Sequence, residues 1–210
     1  MTATLVWFQH DLRLADHPAL QAALQRPGAV IPVFISDDAG AGRWADGAAA
    51  RVWLHHSLHS LDQSLRKRGS RLILRRGDTL KELLALCRAC SADAVYWTRR
   101  YEPAARRLES RVAARLRAAG ILAEGRNGSL LIEPEEVATR EGRPYRVFTA
   151  WWRRALPALH PALPLPAPRR LPAPRRWPSG VRLNQFRLRP AVPAAAVAGA
   201  MRAAHAATRR

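Results

Sequence analysis

Two bursts of polar residues stand where apolar runs end, and their side chains could do chemistry. Gln9, His10, Asp11 and Arg13 follow "LVWF"; Thr98, Arg99, Arg100, Tyr101 and Glu102 follow "AVYW". Carboxylate, imidazole and guanidinium groups gathered this way could hold an anionic, hydrogen-bonding ligand. Equally, Asp11 with Arg13, or Glu102 with a neighbouring Arg, could form an internal ion-pair network that braces loops. No G-x-G-x-x-G follows the first run and no G-x-x-x-x-G-K-[ST] occurs, so neither dinucleotide nor triphosphate chemistry is signalled. "CRAC", Cys87 to Cys90, lies at a helix end, whereas a redox pair needs the helix start, where the dipole lowers a thiol pKa. It is expected to pack. In "HHSLH", His55 and His59 share a helix face, but the glutamate of H-E-x-x-H and a third ligand are missing, so no metal site is expected.

The elements that must position these residues alternate in type. Runs 4–8, 29–35, 71–75, 93–97 and 120–124 are short and rich in Val, Ile or aromatics, the pattern of buried strands. Between them, 16–26, 48–69, 78–90 and 102–120 carry apolar residues at spacings of three and four, the pattern of amphipathic helices. Asp16 and Asp78 stand where the first and third helices need caps, Pro18 suits a first turn, and Gly69 and Gly120 suit helix ends. This alternation predicts an α/β fold, a Rossmann-like doubly wound sheet of five parallel strands in the order 3-2-1-4-5. Ligands of such sheets sit beyond the carboxyl ends of the strands, at the point where strand order reverses. Here that point lies between strands one and four. It would bring the two polar bursts face to face across a crevice.

Charge divides the chain unevenly. The net charge is +19, but residues 1 to 141 carry 21 Lys+Arg against 16 Asp+Glu, while residues 142 to 210 carry 14 against none. The basic tail could be merely a solvated end or could contact nucleic acid without sequence preference. Two cysteines are too few for a secreted disulfide framework, and no window is apolar enough to span a membrane. A soluble, cytoplasmic protein with no membrane partner is expected.

Four ordered blocks carry a resemblance. "LVWFQHDLRLADHPAL", "WLHHSLHSLDQSLRKRGSRLILRRGD" (53–78), "AVYWTRRYEPAARRLESRV" (94–112) and "GRPYRVFTAWWRRAL" (142–156) resemble the amino-terminal α/β domain of the DNA photolyase and cryptochrome family over roughly residues 3 to 156. The resemblance implies deoxyribodipyrimidine photolyase-type, light-dependent DNA repair. In that scheme a larger helical domain binds FAD, and light drives an electron from the reduced flavin to a flipped pyrimidine dimer. The α/β domain often carries an antenna chromophore, a deazaflavin or a folate. Asp11, Arg13, Arg51, Thr98, Arg100, Glu102 and Arg106 are the antenna-site candidates the resemblance marks. Two folate contacts are replaced by Ala104 and Ala105, and Arg100 stands where deazaflavin relatives often carry an acid, so a scaffold without antenna is the alternative.

The expected organisation is an α/β domain over 1–135, a closing segment with an aromatic helix over 136–156, a Pro/Arg-rich linker over 157–190 and an Ala/Arg-rich tail over 191–210. In the aromatic helix, Phe148, Trp151 and Trp152 share one face, which either packs in the α/β core or docks a helical domain or a second copy. No motif of the FAD-binding helical domain is found, so a truncated or frameshifted antenna-side half is expected. Such a half has no catalytic residues, binds no FAD by itself and is inactive alone. The alternative is a non-enzymatic chromophore- or nucleotide-binding module, or a cryptochrome-like photoreceptor fragment.

Overall fold

A computed structural model describes residues 2–37, 46–186 and 188. The apolar runs form β1 (Ala3–Phe8), β2 (Ala29–Ser36), β3 (Ile73–Arg76), β4 (Ala92–Thr98) and β5 (Leu122–Arg126), and the amphipathic segments form α1 (Pro18–Leu24), α2 (Ala48–Arg66), α3 (Thr79–Cys90) and α4 (Pro103–Ala118). A fifth helix, α5 (Phe148–Ala155), follows the sheet. The strands are all parallel, in the order β3-β2-β1-β4-β5. β3 and β5 start two residues later than their apolar runs suggested. Helices cover both faces, so all six residues of the central β1 are buried. Val6, Phe8, Val30, Phe34 and Tyr96 pack on one face with Leu20 of α1 and Leu58, Leu61 and Leu65 of α2. Leu5, Trp7, Ile31, Val33 and Trp97 pack on the other with Leu83, Leu86 and Cys87 of α3 and Val112 and Leu116 of α4.

Local signals explain most boundaries. The Asp78 carboxylate accepts from the Lys81 N–H and caps α3, and Gly69 and Gly120 adopt positive φ after α2 and α4. Asp16 does not cap α1. With Pro18 as its first residue the cap falls one position later, and His17 Nδ1 accepts from the Leu20 N–H at 3.1 Å. Cys87 and Cys90 are free thiols at the end of α3. Burial pushes the Cys87 thiol up to about 12 and raises that of Cys90, the opposite of a reactive pair.

The proline-rich segment after α5 runs extended, but along the α/β unit rather than away from it. Leu171, Pro178, Phe186 and Leu188 are buried, and Trp177 packs under the Arg71 guanidinium. Its backbone also completes the sheet's open side. β3 pairs with β2 only from Val33 onward, and upstream of that point the Val30 N–H donates to Pro172 O instead. On the outer edge of β3, Val181 N–H donates to Leu74 O. Unpaired edge groups invite pairing with other chains, and this strap blocks them. Residues 165–186 thus pack on the α/β layer. The expectation for 191–210 lies outside the described residues. Among the described residues, no helix is long and apolar enough to cross a membrane.

Candidate functional site

The β1 and β4 carboxyl ends bring the two polar bursts together, as strand order requires. Gln9 leaves β1 with its backbone N–H on Asp11 Oδ1 at 3.0 Å, while its side-chain amide reaches Thr98 O at 3.3 Å and Glu109 Oε1 at 3.1 Å. The Arg100 N–H donates to the same Glu109 oxygen at 3.0 Å. Glu109, buried on α4, therefore ties both loops to one helix. Burial pushes its carboxyl above the ordinary carboxylate value, and the donors from Gln9 and Arg100 only partly offset that.

Asp11 behaves in the opposite way. Its Oδ2 lies 2.8 Å from His17 Nε2, and both side chains are almost wholly buried. His17 Nδ1 accepts from Leu20, so Nε2 carries the hydrogen and faces the carboxylate. Neither atom has another hydrogen-bond partner. Burial alone would raise the Asp11 pKa, but the hydrogen bond from His17, with donors from Thr98 and Gln9, outweighs it and holds it below the ordinary value. The alternative pairing of Asp11 with Arg13 does not form. The Arg13 guanidinium donates to Asp16 O and, at 2.6 Å, to Gly128 O, stitching the β1 loop to the segment after β5.

The remaining candidates are largely committed to each other. Arg100 pairs with Glu102 at 3.0 Å, and Arg106 on α4 pairs with Glu135 at 3.1 Å. Arg99 and Tyr101 both bind Glu133, at 2.9 Å each. Burial and the Glu133 charge push the Tyr101 phenol up to about 12. His10 is exposed at the mouth; partial desolvation and the Arg100 charge lower its pKa, against Asp46, Glu102 and Asp11. Arg51 sits exposed on the first turn of α2. Sequence reasoning missed His17, Glu109 and Glu133 as partners. For His17 a signal existed, since the residue before a helix-opening proline is the cap; the two glutamates reach the mouth only through the fold.

What the arrangement can do follows from this commitment. Among the described residues the guanidiniums of Arg13, Arg99, Arg100 and Arg106 serve internal acceptors and so brace the loops of the mouth. An open depression of about 350 Å³ lies elsewhere, lined by Gly69, Arg170, Leu171, Pro172 and Ala173 beside the strap. Among the described residues no group of three or more His, Cys, Asp or Glu could hold a metal ion.

Comparison with known proteins decides the family. The DNA photolyase family model matches residues 4–170, well over half of the chain. The chain belongs to the DNA photolyase family. It is 40% identical over 189 residues to the deoxyribodipyrimidine photo-lyase of Agrobacterium fabrum, covering 90% of this chain and 39% of that protein. It is 37% identical over 170 residues to Cryptochrome-1 of Arabidopsis thaliana, covering 80% of this chain and 25% of that protein. Among solved structures, a bacterial class III photolyase from Agrobacterium tumefaciens superposes with a TM-score of 0.83 at 39% identity, over 92% of this chain and 39% of that one. The DNA photolyase α/β layer is thus shared in fold, and the chain spans about two-fifths of the length of these Agrobacterium relatives. The match passes Leu156, where the recognisable blocks ended, and takes in the first part of the strap.

Proposed function

We propose that this α/β unit is the antenna-side half of a deoxyribodipyrimidine photolyase-type, light-dependent DNA repair protein. Dimer splitting would require an FAD-binding helical domain, on further chain or on a separate partner, and the 210 residues alone would be inactive. The observation that carries this reading is the 40% identity with a photolyase across 90% of the chain, confined to 39% of that photolyase. The committed mouth of β1 and β4 supports it too, because polar groups bound to one another are a scaffold's chemistry. FAD, held in the helical domain, would supply the photochemical electron. The role of this chain's residues would be to position that domain.

The face of α5 is the surface we assign to that contact. Phe148 and Trp152 stack at 6.2 Å, with Trp151 beside both, and they are 71% and 39% exposed, respectively. The 37% identity with a cryptochrome favours a second reading, a photoreceptor module without repair activity. Absorbance of the purified chain, alone and mixed with the helical domain of the Agrobacterium relative, tests the assignment. Flavin absorbance and dimer splitting are expected only in the mixture. Flavin bound without repair would favour the photoreceptor reading, and a near-ultraviolet band from the chain alone would establish an antenna module.

A further inference from the structure

The strap contains a short repeat that the photolyase assignment leaves unexplained. Pro166-Ala-Pro-Arg-Arg-Leu171 is followed directly by Pro172-Ala-Pro-Arg-Arg-Trp177. Each copy ends on an anchor: Leu171 is 1% exposed in the α1/α2 layer, and Trp177 is half-buried against Arg71. Each copy also turns its arginine pair outward, so Arg169, Arg170, Arg175 and Arg176 are all exposed. Hydrogen bonds fix the first pair in place, with Leu171 N–H on Arg68 O, Val30 N–H on Pro172 O and the Arg68 guanidinium on Pro168 O, and the Arg71–Trp177 contact anchors the second. Seven other arginines of the described residues pair with carboxylates, Arg66, Arg75, Arg99, Arg100 and Arg106 among them. Among the described residues these four take none.

Guanidinium forks held on a rigid backbone and left without a counter-charge are suited to phosphate. We propose that the arginine pairs of the strap are a docking surface for the phosphodiester backbone of duplex DNA. The outward face offers charge without aromatic rings, because Leu171 and Trp177 point inward. Single strands are held by stacking platforms as well as by charge, so this surface favours the duplex. Six residues reach at most about 20 Å, a span over which one strand of a duplex presents about six phosphates, so both pairs can engage one strand. The contact needs neither flavin nor light, and its failure would leave the photolyase assignment standing.

Binding of the purified chain to an undamaged duplex of arbitrary sequence, in the dark and across a salt series, tests the proposal. R169Q/R170Q/R175Q/R176Q should lower the slope of log K against log salt by about 3 to 4, since each phosphate neutralised contributes about 0.9. R169Q/R170Q alone should lower it by about half as much, and the four Arg→Lys changes should largely keep it. R88A/R107A/R111A/R115A removes equal charge from exposed positions of α3 and α4, outside the strap; it should lower the slope by less than about 1. An unchanged slope in the strap variant, or an equal fall in both quadruple variants, would overturn the proposal. So would equally tight binding to polyglutamate of matched charge, which would mark a surface for any polyanion.

Discussion

Two segments that follow the sheet carry bulky apolar residues, and they use them in opposite ways. The strap buries Leu171, Phe186 and Leu188 in the α1/α2 layer and covers the open edges of β2 and β3. α5 buries Ala155 and leaves Phe148, Trp152 and, at its C-cap, Leu156 exposed. Proline-rich chain is ordinarily the part that leaves a domain, and an amphipathic aromatic helix the part that completes one. Here the roles are exchanged. The α/β layer buries the strap's side chains, while the aromatic surface of α5 stays exposed.

Removal of each segment should therefore have unequal consequences. Ending the chain after Ala158 strips the buried Leu171, Pro178, Phe186 and Leu188 and the edge cover; it should abolish cooperative unfolding, followed by circular dichroism in urea, and cause aggregation. Within the intact chain, Leu171→Ala should cost about 2 to 5 kcal/mol in urea unfolding, the usual range for a leucine deleted from a packed site. If the strap lay loosely, the cost would be a few tenths. By contrast, F148S/W152S should change the unfolding free energy by no more than about 0.5 kcal/mol, because both side chains are exposed. The same variant should lose association with a helical domain.

Between these extremes, the two carboxylates of the mouth offer a comparison of opposite sign. The folded-state pKa of Asp11 is depressed below 3.8, so its contribution is present above that value and is lost as pH falls through it and below. That of Glu109 is raised above 4.5, so its ionisation destabilises the fold as pH rises through that value and beyond. Asp11→Asn should cost about 1 to 3 kcal/mol near neutral pH by leaving His17 Nε2 without its acceptor. Glu109→Gln keeps an acceptor for Gln9 and Arg100, and should be neutral or stabilising by up to about 1 kcal/mol near pH 8. Urea unfolding of both variants from about pH 3 to about pH 8 checks the signs.

How much was legible in the sequence divides along the same line. Strands such as "AVIPVFI" and helices such as "DTLKELLALCRAC" declare themselves because burial on a sheet face or helix stripe imposes a period of its own. The strand order put the two polar bursts at one mouth. Their partners were not legible, since Glu109 and Glu133 reach Gln9, Arg99 and Tyr101 only through the packing of α4 and the loop after β5. The strap was illegible for a related reason: proline specifies an extended backbone but not what that backbone lies against. Leu171 and Trp177, six residues apart in two copies of one motif, were the overlooked sign that it lies on a surface.

Blue-light repair of an oligonucleotide containing a single cyclobutane pyrimidine dimer, by the purified 210-residue chain with added FAD, tests the central claim most directly. The account predicts that the dimer stays intact and that no flavin remains with the protein after desalting. Dimer splitting by the chain alone with FAD bound one to one would contradict it.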